Sequence, residues 1–260
     1  MTMPCDLGGR GVLVTRPRAQ AAELSALIQS VGGRPILFPT LEILPPVDAD
    51  LPRSLLTRPW DIIIFISRNA VAGARDLAPD LQWLAGAQVA AVGKSTAKAL
   101  QRLGHAPDLV PDERYDSESL LELPPLREVS GKRVLIVRGV GGRAHLGDTL
   151  SARGAAVAYA EVYRRVRPQV DAGLLMEDWH QSLGFVTATS DEVLSNLLGM
   201  IPDAEQPWLK TLPLVVFSER GAGSAMELGF RVVAVAKAAS DEAMVEALCR
   251  LHLNRPIPRR

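Results

Sequence analysis

Residues 134–139 read Val-Leu-Ile-Val-Arg-Gly, and residues 12–17 read Val-Leu-Val-Thr-Arg-Pro. Each stretch begins with an apolar run of the length expected for a buried strand and has arginine as its fifth residue. The two stretches lie 122 residues apart (134 − 12), and glycines further on, Gly32 and Gly154, keep the same spacing. This agreement is the first sign that the chain contains one supersecondary pattern twice.

Three further pairs of segments keep nearly the same spacing. They are 67–71 with 189–193, 89–104 with 214–229, and 117–122 with 241–246, at spacings of 122 (189 − 67), 125 (214 − 89) and 124 (241 − 117). A single match could arise by chance, but successive matches in the same order predict an internal duplication.

Each copy alternates apolar strands with amphipathic helices, the pattern typical of a parallel sheet with helices on both faces. We therefore predict an α/β protein with two flavodoxin-like lobes. The periodicity allows two arrangements. Either the lobes are contiguous and divide near Pro124-Pro125, or the first strand–helix unit is exchanged and one lobe is discontinuous. In the second arrangement, residues 38–44 and 157–167 would form a two-stranded ladder between the lobes.

Composition narrows the functional class. Lys+Arg and Asp+Glu both total 29, whereas proteins that bind nucleic acid or a membrane surface usually show a basic excess. Cys5 and Cys249 are too few for a disulfide framework, and the four histidines have no metal-ligand spacing. The first residues lack a charged-then-apolar segment, and no apolar run reaches the roughly 18 residues that span a bilayer. We expect a cytoplasmic protein without a metal.

Polar, glycine-containing turns follow the predicted strands. In open parallel sheets, ligands bind beyond the carboxyl ends of the strands, where helix N-termini present free amides to anions. The candidate ligand-binding residues in these turns are Arg16, Ser67, Asn69, Lys94, Ser95, Thr96, Arg138, Gly139, Arg143, Thr187, Thr189, Ser218, Arg220 and Gly221. The alternative for any single turn is helix capping, since Ser67 and Thr189 suit N-caps and Thr189-x-x-Glu192 is a capping box.

Cofactor signatures are weak. Residues 139–142 are not in the phase of a dinucleotide-binding loop, and residues 93–96 lack the upstream glycine of a phosphate-binding loop. We therefore expect an enzyme without cofactor or metal, whose chemistry depends on binding, shape and one phenol. Tyr163, in the apolar and then basic stretch 156–168, is that phenol; the alternative is a strand tyrosine that only packs its ring.

Several short motifs, taken in order, resemble those of bacterial uroporphyrinogen-III synthases over about residues 12–248. The motifs are Val14-Thr15-Arg16-Pro17, Phe65-Ile66-Ser67-Arg68-Asn69-Ala70-Val71, Ala91-Val92-Gly93-Lys94-Ser95-Thr96-Ala97, Tyr115-Asp116-Ser117-Glu118, Val162-Tyr163-Arg164-Arg165 and Ser240-Asp241-Glu242-Ala243-Met244. The resemblance implies the exchanged arrangement, with the lobes and connecting strands divided as 1–37 with 168–260, 45–156, and 38–44 with 157–167.

The resemblance also implies a reaction. Family members cyclise hydroxymethylbilane, a linear tetrapyrrole, with inversion of its last ring, to uroporphyrinogen III and water. The tyrosine that matches Tyr163 is the family's candidate for assisting hydroxyl departure, and hydroxyl-bearing turns match Ser67, Thr96, Thr187 and Thr189. Ile66 stands where many relatives have threonine. We expect a monomer whose partner is this small polycarboxylate, with no nucleic acid and no membrane; a two-lobed sensor of anionic ligands is the alternative.

Overall fold

The structure is a computed structural model that describes residues 5–112, 116–142 and 144–253, with the backbone alone at positions 81 and 83. The chain divides into two compact units. Unit 1 combines the segment that ends at Glu42 with the segment that begins at Val166, and unit 2 is the continuous segment Ile43–Arg165. In the described residues, no helix is both long enough and apolar enough to cross a membrane.

Strands and helices alternate along most of the chain. The strands of the described residues are β1 (Gly11–Val14), β2 (Arg34–Leu37), β3 (Glu42–Leu44), β4 (Ile62–Phe65), β5 (Gln88–Ala91), β6 (Arg133–Gly139), β7 (Ala156–Val166), β8 (Leu183–Ala188), β9 (Leu214–Val216) and β10 (Val233–Val235). The α-helices are α1 (Ala22–Ser30), α2 (Asp50–Leu56), α3 (Arg68–Leu77), α4 (Lys94–Arg102), α5 (Ser117–Leu121), α6 (Pro124–Arg127), α7 (His145–Ala152), α8 (Met176–Ser182), α9 (Asp191–Met200), α10 (Gln206–Leu209), α11 (Glu219–Glu227) and α12 (Asp241–Leu253).

The sheet of unit 1 has the order β10-β9-β8-β1-β2, and its paired strands are parallel. Strands from the beginning of the chain therefore pair with strands from its last third. When the five strands of unit 1 are renumbered in chain order and listed from the β2 edge, their order is 2-1-3-4-5, which is the flavodoxin-like order.

The sheet of unit 2 has the order β3-β7-β6-β4-β5, and the pairs β4–β5, β4–β6 and β6–β7 are parallel. In this order, β6 corresponds to β1 of unit 1, and β7, β4 and β5 correspond to β2, β8 and β9. A parallel bridge between Ala90 and Leu109 occupies the position of β10. The predicted α/β class with two parallel sheets is confirmed; the sequence-derived boundaries of lobes and connecting strands stay predictions.

The central strands are buried on both faces, as expected where helices cover a parallel sheet on each side. Every residue of β1, β4 and β8 is buried. Alternate residues of a strand point to opposite faces, and unit 2 shows this clearly. Ile63 and Phe65 join one apolar cluster, whereas Ile62 and Ile64 join another.

The strand registers correct the predicted repeat by one residue. Phe185 pairs with Val12 in unit 1, and Ile62 pairs with the equivalent Val134 in unit 2. The spacing at this strand is therefore 123 (185 − 62) rather than 122. The pairing of β1 with β8 contains a bulge between Gly11 and Val12, next to the Val12–Phe185 pair.

Cysteine usage also differs from the expectation. Cys5 and Cys249 form a disulfide, with Cα atoms 5.8 Å apart. The bond joins the segment before β1 to α12; Cys249 belongs to the apolar cluster of unit 1, and Cys5 packs against that cluster. Their spacing of 244 residues provided no local signal of pairing.

Candidate functional site

Tyr163 lies at a bulge in β7. Arg138 of β6 is opposite Glu161, but the next residue, Gly139, is opposite Tyr163, so Val162 is the extra residue. A bulge places neighbouring residues on one face of the sheet. Val162 and Tyr163 accordingly join the same apolar cluster, whereas Tyr159 packs against the cluster on the other face. In a regular strand, these two tyrosines would share a face.

The phenol of Tyr163 has a close polar neighbour in unit 2. Its Oη lies 3.2 Å from Ser67 Oγ, and Ser67 Oγ also accepts the N–H of Ala70 at 3.1 Å. Ser67 is thus the N-cap of α3, as predicted, and a neighbour of the predicted catalytic residue. Tyr163 is 5% exposed, so the protein holds its ring in place. We call Tyr163, Ser67 and Gly139 the Tyr163 cluster.

Gly139 completes this cluster by its lack of a side chain. A Cβ at this position would lie 2.6 Å from Cζ and 2.7 Å from Cε2 of Tyr163. Such distances are far inside van der Waals contact, so the ring occupies the space that any other residue would need. Arg138, the residue before it, donates from Nε and Nη2 to Glu161 Oε1 at 3.1 and 2.9 Å. The Arg138 guanidinium also lies 4.0 Å above the ring of Tyr159, so the structure gives this arginine a fixed carboxylate partner.

Two helix starts in unit 2 carry further predicted residues. Asn69 is half-buried in the first turn of α3. Lys94 and Ser95 are exposed in the first turn of α4, whose N-cap is Gly93, whereas Thr96 is 2% exposed. Thr96 is therefore buried beneath this turn, whereas Lys94 and Ser95 are accessible. Arg143 lies outside the described residues.

In unit 1, the starts of two helices line one cavity of about 70 Å³. Its lining includes the predicted Thr189, Ser218, Arg220 and Gly221. The carboxyl ends of the neighbouring strands β8 and β9 lead into α9 and α11, which is why these residues meet. Amides at helix starts carry partial positive charge and suit a carboxylate.

Ser190, rather than Thr189, is the N-cap of α9, since its Oγ accepts the N–H of Val193 at 3.3 Å. The predicted capping box that began at Thr189 is therefore wrong by one residue. Ser190 also corresponds to Ser67 at the corrected spacing of 123 (190 − 67). Across the cavity, Ser218 caps α11, and Arg220 lies 3.4 Å from Asp191 in an exposed ion pair.

Two predicted residues of unit 1 have structural partners. Arg16 is 6% exposed, and its Nη1 donates to Asp241 Oδ1 at 2.6 Å at the start of α12. Thr187 is 2% exposed and donates to the carbonyl of Leu13 at 2.8 Å, while Thr15 donates back to the carbonyl of Thr187 at 2.6 Å. These bonds join the ends of β1 and β8, so Thr187 stabilises the sheet.

Sequence reasoning missed the acidic partners Glu161 and Asp241, because each pairs with an arginine remote in sequence, at separations of 23 and 225 residues. It also missed Ser190, although a serine followed by two acidic residues is a recognisable helix start. Among the described residues, no cluster of three or more His, Cys, Asp or Glu side chains could hold a metal ion.

Comparisons with known proteins identify what this chain resembles. The family described as "Uroporphyrinogen-III synthase HemD" matches residues 22–246. The uroporphyrinogen-III synthase of Escherichia coli K12 is 37% identical over 245 residues, which cover 91% of this chain and 99% of that protein. The enzyme of Salmonella typhimurium is 35% identical over the same shares. These matches confirm the family resemblance inferred from the sequence.

Solved structures agree on the fold. A mutant uroporphyrinogen III synthase of Thermus thermophilus has a TM-score of 0.62 at 20% identity, over 95% of this chain and 100% of that one. The uroporphyrinogen-III synthetase of Helicobacter pylori also reaches 0.62, at 21% identity, over 94% and 99%. At these identities the similarity concerns the fold alone.

Proposed function

The chain belongs to the uroporphyrinogen-III synthase family, and we propose that it cyclises hydroxymethylbilane with inversion of the last ring, to give uroporphyrinogen III and water. The observation that carries this proposal is 37% identity to a named synthase along 91% of the chain. The reaction begins with loss of a hydroxyl, which gives an azafulvene. A spiro intermediate then forms and fragments, and the ring closes again in the inverted orientation.

Tyr163 is our candidate for the proton donor to the departing hydroxyl. Its phenol lies within hydrogen-bond distance of Ser67, and its ring is held by Gly139 and the apolar cluster of unit 2. A phenol in a fixed orientation can transfer its proton in the transition state without first being ordered.

The substrate's acetate and propionate groups require several anion sites. We propose that the unit 1 cavity, at the starts of α9 and α11, binds a carboxylate through Thr189, Ser218 and Arg220, while Gly221, whose N–H is bonded to the Ser218 cap, lines this cavity. At the helix starts of unit 2, Asn69, Lys94 and Ser95 are the proposed ligands. Arg16, Thr96 and Thr187 support these turns from the interior, and Arg138 is held by Glu161 near the Tyr163 cluster.

Much of the catalysis is conformational control. The azafulvene closes spontaneously to the type I isomer, so the enzyme must hold the chain in the conformation that inverts the last ring. No step of this scheme requires a cofactor. We also keep a monomeric state and a cytoplasmic location as proposals; light scattering of the purified protein tests the first.

The decisive experiment is incubation with hydroxymethylbilane followed by oxidation of the products and chromatographic separation of the type I and type III isomers. The expected product is type III, against a type I background in a control with heat-denatured protein. Type I product alone would refute the proposed function. The relatives are named as synthases, so we do not carry the ligand-sensor alternative further.

A further inference from the structure

We propose that Ser67 and Gly139 are positioning residues for Tyr163. Gly139 allows the tyrosine ring to lie against the end of β6, and Ser67 donates its hydroxyl proton to the phenol oxygen. The inference rests on the proposed function, because it concerns the group to which proton donation is assigned. It goes further by giving defined roles towards Tyr163 to two residues that the sequence placed among possible substrate ligands.

The capping bond is compatible with donation from Ser67 to Tyr163. Ser67 Oγ accepts the N–H of Ala70 at 3.1 Å, which leaves its hydroxyl proton and a second lone pair, and a general acid keeps its own proton for the substrate only if the serine is the donor. Tyr163 Oη lies 3.2 Å away. The positive end of the α3 dipole polarises the serine hydroxyl and strengthens it as a donor. Tyr163 then accepts from Ser67 and keeps its own proton for the substrate.

This direction suits a general acid. As the carbon–oxygen bond of the substrate breaks, its electron pair stays on the departing oxygen, which takes the phenol proton and leaves as water. The phenolate that forms keeps the hydrogen bond from Ser67, so the developing negative charge is stabilised. The proton lost from the pyrrole nitrogen as the azafulvene forms restores the phenol, directly or through solvent.

Gly139 sets where the ring can lie. The β7 bulge at Val162 brings Tyr163 directly opposite Gly139, where a Cβ would come within 2.6 Å of the ring. The backbone at this position is not in the left-handed region, so alanine would fit the strand, and the three atoms nearest its Cβ would all belong to the Tyr163 ring. Its substitution therefore tests the ring position without backbone strain.

The test is a pair of double-mutant cycles measured as type III formation. We expect Ser67→Ala and Gly139→Ala each to lower kcat by roughly tenfold or more, with KM little changed, because a lost hydrogen bond or a shifted acid acts on the transition state. In a Tyr163→Phe background, neither substitution should lower kcat further. Ser67→Thr, which keeps the hydroxyl, should restore most of the activity.

Two control variants separate positioning from general destabilisation. Gly223→Ala adds a methyl group where nothing lies within 4 Å. Asp116→Ala removes a different N-cap of unit 2, whose side chain accepts the N–H of Ser119 at 2.8 Å. Both should keep the kcat of the parent protein.

A second readout does not depend on turnover. Protein labelled with ¹³C at the tyrosine Cζ should give a Tyr163 signal, identified by its loss in Tyr163→Phe, that shifts in Ser67→Ala and in Gly139→Ala but not in either control. Additive losses in the double-mutant cycles, or an unmoved Tyr163 signal, would overturn the inference while type III formation by the parent protein upheld the function. Type I product alone from the parent protein would overturn both.

Discussion

The strand pattern alone would assign Tyr163 an ordinary packing role. Its neighbours in the folded chain are what indicate a chemical role. Tyr163 and Tyr159 occupy one strand, yet they pack on opposite faces of the sheet because of the bulge at Val162. Tyr159 lies under Arg138, whereas Tyr163 is within hydrogen-bond distance of the Ser67 cap. Only the second tyrosine combines a fixed ring with a polarised hydrogen-bond partner.

Removal of the Tyr163 hydroxyl should therefore slow the reaction without unfolding the protein. We expect Tyr163→Phe to reduce type III formation by at least about tenfold, the lower end of what a general acid contributes. Initial rates with hydroxymethylbilane measure the activity, and the far-UV circular dichroism spectrum shows whether the fold is kept. Tyr159→Phe is the matched control, since it keeps the ring that contacts Arg138. Equal turnover of Tyr163→Phe and the parent protein would remove Tyr163 from the mechanism.

At the scale of elements, helix starts have two functions. Those of α3, α9 and α11 are capped by a serine side chain, and each leaves amides that can receive an anion. The caps also reveal the register of the repeat, because Ser67 and Ser190 begin equivalent helices at the corrected spacing of 123 (190 − 67). Threonine and serine are adjacent at positions 189 and 190 and both suit an N-cap, and the sequence prediction chose Thr189, one residue too early.

The choice of cap can be measured. Ser190→Ala should lower the free energy of unfolding by about 1 kcal/mol, the usual effect of losing an N-cap hydroxyl. Thr189→Ala should change it by clearly less, because the α9 cap bond is made by Ser190. Urea unfolding of both variants provides the comparison. A larger loss in Thr189→Ala would return the cap to the residue predicted from sequence.

A buried ion pair joins the turn after β1 to the start of α12. The side chains of Arg16 and Asp241 are 7% and 13% exposed, and the Arg16 Nη2 has no hydrogen-bond partner among the described residues. A buried charge without its partner is costly, so Asp241→Ala should lower the free energy of unfolding by about 3 kcal/mol.

The control for this pair is Asp50→Ala, which removes the ion pair with Arg53, whose side chains are 94% and 51% exposed. Its loss should cost less than about 1 kcal/mol. Urea unfolding again gives the values. Equal effects of the two substitutions would show that burial adds nothing to the Arg16–Asp241 pair.

For the molecule as a whole, the Cys5–Cys249 bond closes nearly the full length of the chain, since the two cysteines are 244 positions apart in sequence. A crosslink over so long a loop restricts the unfolded chain strongly. We expect the oxidised protein to melt several degrees above the reduced protein, as measured by calorimetry with and without reductant, and Cys249→Ser to melt with the reduced form. In a reducing cytoplasm the two thiols would stay reduced. A peptide map that shows free thiols in the air-oxidised protein would contradict this pairing.

The α/β class, the duplication, the predicted catalytic tyrosine and the family all followed from the order of residues along the chain. These conclusions depend on patterns that are local or that repeat: strand and helix periodicity, cap residues at helix starts, and ordered short motifs. The structure has helix starts at Ser67 and Ser218, where the sequence predicted them. The reason is the same, since a helix start depends on residues close in sequence.

Which distant groups meet became known only from the folded chain. Ser67 with Tyr163, Arg16 with Asp241, and Cys5 with Cys249 are separated by 96, 225 and 244 residues. Strand order brings each pair together, and no local pattern records strand order. The bulge that turns Tyr163 towards Gly139 is likewise a property of two paired strands, so the environment of the predicted catalytic residue became visible only after β6 and β7 were placed side by side.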